Sequence, residues 1–345
     1  MPTALCEMGK LAGIRVVDLT LFLPGPMMTL MMAEEGASVI KVEPPGGDPA
    51  RAMPPFGDRG SLWFDALNRG KICVELDLKS DAGKAALWDL IDEADVVVEG
   101  FRPGAMARLG FEYAAVAARR PSVVYCSISA FGQAGPRAHH PAHDLAVQAL
   151  SGFLSVNDGP GGPVVPGVPA ADVAAGLTAL SAVLMALIGR AATGRGDYVD
   201  VSMFGSLLPW SAHIAADAMR GGPAPRSAEQ RSLGGAAFYQ VYACKDGGHV
   251  TLGGREAKFV RTLLEALGRP DLIALGDAPA GEAQAPLRDF LAATFLTRTR
   301  DEWTAWFDGR DVAFAPVLDF TQAFAAAPDA IVDGRVKPAI RFASC

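Results

Sequence analysis

The sequence predicts an α/β protein with a doubly wound large domain on a parallel sheet, followed by a smaller α+β unit. Three observations lead there. Runs rich in Val and Ile (IRVVDL, SVIKVE, ADVVVE, VVYCSIS) recur between helical patterns in the first half, and strands without strict alternation belong to a sheet covered on both faces. A stretch from Arg220 to Gly235, broken by Pro and Gly and mixed in charge, reads as a linker. Beyond it, FYQVYAC and HVTLGG lie around Lys245-Asp246-Gly247-Gly248, two alternating strands about a turn.

In order, Ile14 to Leu19 reads as a strand, LFLPGP as a turn, Met27 to Glu35 as a helix stopped by Gly36, and Ser38 to Glu43 as the next strand. That is a βαβ unit. The pattern repeats with Val74 to Leu78, a helix over Asp81 to Glu93, a strand over Ala94 to Glu99, helix over Gly104 to Arg119, and a strand from Val123 to Ser129. LAVQALSGFLS is helical in pattern, and NDGPGGPVVPGVP is too rich in Gly and Pro to be regular. A long helix follows from about Asp172 to Ala192, then a TGRG turn and the strand-like YVDVSM; in the small unit, helices start at Ala257 and Asp301. The expected division is 1–219 for the large domain, completed by about 318–345, with linker and small domain over 220–317.

At 345 residues, 50% hydrophobic and 20% charged, the chain can bury more than one core. A net charge of -7 excludes the broad basic surface that nucleic acid or an anionic membrane requires. Five Cys at 6, 73, 126, 244 and 345, with no CxxC, indicate free thiols in a reducing compartment. MPTALCEMGK has no apolar signal core, and a cytoplasmic location is expected. The apolar run Val173 to Gly189 is at the lower limit for a membrane span, and its Gly176, Thr178 and Ser181 suit a helix buried against protein.

No GxGxxG follows the first strand, where only Pro24-Gly25-Pro26 stands, so no nicotinamide or flavin is expected. GxxxxGK[ST] and GxSxG are absent too. The informative pair is His143-Asp144, with Asp172 about 28 residues on: a base beside a carboxylate, and a second carboxylate beyond a Gly/Pro stretch, suit proton transfer at carbon or attack on an acyl group. Both Asp residues equally suit helix N-termini, where unpaired N–H groups favour carboxylates. His140, His143 and Asp144 could be read as metal ligands, but Pro141 breaks the spacing and no further His or Cys cluster supports them, so no metal is expected. Glu256 follows a Gly pair at a strand end. Lys71, Lys79, Arg102 and Arg108 could together receive phosphates, and Met27, Met28, Met31 and Met32 could form an apolar wall near the first turn.

The blocks LAGIRVVDLT, GASVIKVEPPGGDPAR, LNRGKICVELDLKS, ADVVVEGFRPGAMARLGF, VYCSISAFGQAGP, GVPAADVAAGL and TGRGDYVDVSM together resemble the family III CoA-transferase superfamily over nearly the whole length. The resemblance implies a Rossmann-like large domain, a small domain, an intertwined homodimer, and coenzyme A as part of the substrate, with no tightly bound cofactor. For CoA it implies Lys79, Phe101 and Arg108, with Arg102 beside them. Within the superfamily, transferases attack acyl-CoA with the carboxylate matching Asp172, while racemases set a His-Asp pair matching His143-Asp144 against that Asp. His143, where transferases commonly carry Tyr, and Glu256, which resembles a Glu paired with the catalytic His, point to the racemases. Ala142 and LAVQALSG instead follow the transferase pattern.

The expected function is therefore racemisation of a 2-methyl-branched acyl-CoA through an enolate. His143 and Asp172 exchange the α-proton, Asp144 and Glu256 orient the imidazole, and N–H groups at the Asp172 helix start hold the enolate oxygen. CoA transfer with Asp172 as nucleophile is the alternative, and a CoA-binding subunit without turnover the third.

Overall fold

The structure, a computed structural model, describes residues 9–159, 161–332, 334–340 and 342. Cys6 and Cys345 lie outside them, as does most of MPTALCEMGK.

Residues as far as Phe153, Val165–Trp210 and the chain from Lys337 form one compact unit; Leu154–Val164 and Ser211–Val336 form a second. This differs from the expected 1–219, 220–317 and 318–345. The segment 154–164 leaves the first unit because its own hairpin, Asp158–Gly159 against Gly162–Pro163, is tied by the Asp158 carboxylate to the Ser227 hydroxyl. The chain rejoins the first unit at Lys337 and not near 318, and Phe314–Pro316 pairs with a strand of the second.

The first unit has strands β1 (Arg15–Leu19), β2 (Ser38–Glu43), β3 (Ile72–Glu75), β4 (Val96–Glu99), β5 (Val124–Ser129) and β6 (Tyr198–Ser202). All are parallel, in the order β3-β2-β1-β4-β5-β6. That is the Rossmann order, with its reversal between β1 and β4, where open α/β sheets bind ligands beyond their strand ends. Consecutive strand residues serve opposite faces. Val16, Val39, Val96, Val98, Val124 and Cys126 belong to one core, while Val17, Leu19, Val42, Val97, Val123 and Tyr125 belong to another. This two-sided burial is why the strands read as continuous apolar runs.

The helices are α1 (Pro24–Glu34), α2 (Leu62–Asn68), α3 (Asp81–Glu93), α4 (Ala105–Leu109), α5 (Tyr113–Arg119), α6 (Asp144–Leu150), α7 (Ala170–Thr193) and α8 (Met203–Ser211). Gly104–Arg119 is two helices because Gly110 takes φ 89° and ends α4, directing Phe111 into the core. The third strand lies at Ile72–Glu75 instead of Val74–Leu78, in register with Ile40–Glu43. Met28 and Met32 are fully buried in the core, the commoner use of such residues.

By length and composition α7 could cross a membrane. Ala170, Ala171, Ala174, Ala175, Gly176, Ala179 and Val183 along it are buried. These small residues bring backbones close: a Cβ on Gly176 would lie 2.7 Å from the Pro24 carbonyl oxygen and 2.6 Å from Met27 Cε. The N-terminal part of α7 is thereby set against the start of α1.

The second unit contains a three-stranded antiparallel sheet, β7 (Tyr239–Ala243), β8 (His249–Gly253) and β9 (Phe314–Pro316), in that order. Helices α9 (Ala257–Ala266), α10 (Ala285–Phe295) and α11 (Arg300–Phe307) supply Val260, Leu263, Leu287, Leu291, Phe295, Trp303 and Phe307 to its core.

Candidate active site

His143 and Asp144 stand at the entrance of α6, with His143 as the N-cap residue and Asp144 in the first turn. Asp172 is the third residue of α7. The two helix starts are joined by one carboxylate. Asp144 Oδ1 accepts the backbone N–H of Ala171 at 2.8 Å and of Asp172 at 3.1 Å, and Oδ2 accepts Gln148 Nε2 at 2.5 Å. Asp144 thus serves as a cap for α7, supplied from another helix.

This bears on two expectations. No hydrogen bond joins the His143 ring to Asp144, whose carboxylate accepts from Ala171, Asp172 and Gln148 instead. At the start of α7, the N–H groups of Ala171 and Asp172 go to Asp144 and that of Val173 goes to the Pro169 carbonyl at 3.0 Å, so these three are not open to an oxyanion. His143 is exposed, and its ring meets the Phe22 ring edge-on, with centroids 6.2 Å apart.

Asp172 is partly buried, and its side chain makes no hydrogen bond to a described residue. Burial, and then the neighbouring Asp144 carboxylate, push it up to about 7, because low polarity and a like charge both disfavour ionisation. A carboxylate titrating near neutrality is more basic than an ordinary Asp, which suits both attack on carbon and proton transfer.

Beside β1 and β2 lies a second group of buried charges. Asp18 Oδ1 accepts the Thr20 N–H at 2.9 Å and the Thr20 hydroxyl at 2.5 Å, while Oδ2 accepts the Thr29 hydroxyl at 2.6 Å and Lys71 Nζ at 3.1 Å. Lys71 also donates to the Pro26 carbonyl at 3.0 Å and to Asn68 Oδ1 at 2.9 Å. Lys41 Nζ donates to the Thr20 carbonyl at 2.7 Å and pairs with Asp48 Oδ2 at 2.9 Å. Burial alone would raise Asp18, but the ammonium groups of Lys71 and Lys41 and the two hydroxyls outweigh it and hold it low. Lys71 is therefore not a phosphate ligand in this arrangement: its side chain is fully buried and already has three acceptors.

At the carboxyl edge of the sheet, at the reversal point, a cavity of about 520 Å³ is lined by Leu19, Leu21, Pro44, Leu78, Lys79 and Phe101, among others. It joins two of the residues the sequence pointed to, exposed Lys79 and half-buried Phe101. Arg102 instead lines a separate polar pocket of about 170 Å³ with Glu99, Tyr125, Ser127, Gln133 and Tyr198, where burial raises Glu99 above the usual carboxylate range. Arg108 is an exposed residue of α4, next to the cavity-lining Leu109. Glu256, in the second unit, is an exposed N-cap residue of α9 without a side-chain cap bond. Among the described residues, no three His, Cys, Asp or Glu side chains form a cluster that could hold a metal.

Two features escaped the sequence reading. The buried Lys41 carried a faint signal, a Lys inside the strand run SVIKVE. The left-handed backbone of Phe22, φ 63°, carried none.

Comparison with known proteins agrees with the fold. The chain is 38% identical over 267 residues to an acetyl-CoA:oxalate CoA-transferase of Acetobacter aceti, covering 76% of this chain and 68% of that one. It is 32% identical over 337 residues to a succinyl-CoA:glutarate CoA-transferase of Mus musculus, covering 94% and 76%, and 32% identical over 320 residues to an α-methylacyl-CoA racemase of Homo sapiens, covering 90% and 78%. A CAIB/BAIF family protein from Brucella suis superposes with a TM-score of 0.83 at 29% identity, covering 98% of this chain and 93% of that one. The family model for CoA-transferase family III matches residues 11–338, and the chain belongs to that family.

Proposed function

We propose that the protein is a CoA transferase that moves CoA between two short carboxylic acids, with Asp172 as the nucleophile. The observation that carries this reading is the commitment of Asp144 to the α7 backbone and Gln148. His143 makes no hydrogen bond to an acidic side chain among the described residues, and Asp172 is the half-buried, unusually basic carboxylate. The two transferase relatives, and the transferase pattern LAVQALSG after Asp144, support the same choice. Their names point to small dicarboxylates as donors or acceptors.

In this mechanism the Asp172 carboxylate attacks the thioester carbonyl and expels CoA thiolate, leaving a mixed anhydride on Asp172. The thiolate attacks the Asp172 carbonyl of that anhydride, releases the first acid as a carboxylate, and forms an aspartyl-CoA thioester. The acceptor carboxylate then attacks this thioester, expelling the thiolate and forming a second anhydride. Attack of the thiolate on the acceptor carbonyl yields the new acyl-CoA and restores Asp172. No water is consumed. The CoA end is assigned to the cavity of Lys79 and Phe101, at the strand-order reversal where such sheets bind nucleotides. Lys79 would meet phosphate and Phe101 the adenine or pantetheine; Arg108 and Arg102 remain phosphate candidates.

Racemisation is the second reading, favoured by the racemase relative and by an imidazole adjacent to the residue that caps the Asp172 helix. There His143 and Asp172 would exchange the α-proton. Incubation with an acyl-CoA and a dicarboxylate in heavy water separates the two. Acceptor-dependent thioester exchange without α-deuteration supports transfer; α-deuteration without an acceptor supports racemisation and overturns it.

A homodimer in a reducing cytoplasm completes the proposal. Exposed Met185 and Ile188 on α7 support contact with a second copy, and the free cysteines among the described residues, at 73, 126 and 244, suit that compartment.

A further inference from the structure

Among the described residues, Phe22 is the one non-glycine residue with positive φ, at 63°. A bulky side chain in the left-handed region is strained and persists only where its surroundings over-determine it. Here both ends of the turn are clamped. On the entry side, Asp18 holds the Thr20 N–H and hydroxyl, and Lys41 holds the Thr20 carbonyl at 2.7 Å. On the exit side, Lys71 holds the Pro26 carbonyl at 3.0 Å. The Pro24 carbonyl oxygen is so close to α7 that only glycine fits opposite it, at position 176.

The clamped turn sets the Phe22 ring against the His143 ring, with an interplanar angle of 89°. Core packing does not explain the strain, since Phe22 remains 38% exposed. Its neighbours do. Leu21 lines the cavity that also holds Lys79 and Phe101, and His143 precedes Asp144, whose carboxylate binds the N–H of Asp172. Phe22 thus follows the cavity-lining Leu21 in the chain and meets, through its ring, the residue that precedes the cap of the Asp172 helix.

We propose that Phe22 is a specificity-determining residue: its ring, fixed by the turn, limits the space beside His143 open to the acyl group. This rests on assigning the cavity and Asp172 to CoA-thioester chemistry. The test reads binding, so it does not depend on which reaction follows. Dissociation constants of S-ethyl-CoA and S-(2-phenylethyl)-CoA, thioethers that offer no carbonyl to attack, are measured by calorimetry for the wild type, Phe22→Ala and Phe22→Gly.

The wild type is expected to prefer the ethyl compound, and both variants to shift the ratio toward the bulky one by about tenfold, the scale of a changed apolar pocket. Phe22→Gly adopts φ 63° without strain and guards against misfolding of the Ala variant. A ratio within about twofold of wild type in Phe22→Gly, with S-ethyl-CoA still bound, overturns the proposal, as does failure of both thioethers to bind the wild type. Acceptor-dependent exchange by the wild type is measured separately. Its absence alongside a shifted ratio removes the transferase reading and leaves the role of Phe22 intact.

Discussion

Asp144 Oδ1 lies 3.1 Å from the backbone nitrogen of Asp172, so the residue that caps α7 is also the negative charge that raises the candidate nucleophile on it. Cap and charge can be separated by substitution. Asn keeps an oxygen for the N–H groups of Ala171 and Asp172 and removes the charge, and its amide nitrogen can donate to Gln148 Oε1, which is buried without a hydrogen-bond partner. With the charge gone, the pKa of Asp172 moves down from about 7 toward the value burial alone sets. The acid limb of kcat/KM, expected near pH 7 in the wild type, then falls to lower pH in Asp144→Asn. An unmoved limb would show that Asp144 does not govern the titration of Asp172.

The same shift has a stability consequence. An Asp carboxyl ordinarily ionises near 3.8, and that of Asp172 is raised to about 7 in the fold, so the native state binds its proton more tightly than the unfolded chain. The stabilisation is fully present below pH 4 and is lost as pH rises through 7. Asp172→Asn removes the ionisation, and should be more stable than wild type at pH 8 by about 2 kcal/mol, allowing for partial solvent screening of the shift. The difference should vanish near pH 4. Urea unfolding at the two pH values measures it, while acceptor-dependent exchange should fall by at least about a thousandfold, as expected on loss of a nucleophile.

Lys79 is exposed in the free chain and lines the cavity assigned to CoA. Lys79→Ala should weaken free CoA by about tenfold, equivalent to about 1.4 kcal/mol, and reduce the salt sensitivity of binding. The melting temperature should stay within about a degree, since exposed substitutions without buried partners change stability little. Equal binding of CoA by variant and wild type would place the phosphates elsewhere.

The sheet was legible because doubly covered strands leave uniform Val and Ile runs, and β1, β2, β4, β5 and β6 all fall within the runs read as strands. The break at Gly110 was hidden inside a helical pattern, since a lone glycine does not reveal its φ. The site was legible as residue types and not as partners. His143, Asp144 and Asp172 do gather at two helix starts, but the sequence neighbourhood of His143 and Asp144 suggested a pair, whereas the fold turns Asp144 toward a backbone 27 residues away. Lys71, which the sequence offers with Lys79, Arg102 and Arg108 as a phosphate contact, is buried because β3 and the turn after β1 meet only in three dimensions. The 154–164 excursion looked like a loop of the large domain because nothing local records the Ser227 hydroxyl that ties it to the second unit.

Gly176 sits one helical turn beyond Asp172, where α7 meets the start of α1. A methyl group there would stand 2.7 Å from the Pro24 carbonyl oxygen and 2.6 Å from Met27 Cε. The Met side chain can swing away, but the carbonyl belongs to a turn clamped by Lys41 and Lys71. Gly176→Ala therefore forces α7 outward, carrying Asp172 with it. Overpacking of this kind costs about 1–3 kcal/mol, and displacement of a reacting group by about 1 Å can cost about a hundredfold in rate. Gly176→Ala is expected to retain CoA binding, since the Lys79 cavity lies outside the contact, and to lose about ten- to a hundredfold in kcat. The Met27→Ala/Gly176→Ala double variant separates the two obstacles: if the carbonyl is the rigid one, removing the Met side chain recovers some stability and little kcat. Full recovery of kcat in the double variant would mean that the clamped turn does not set the position of Asp172.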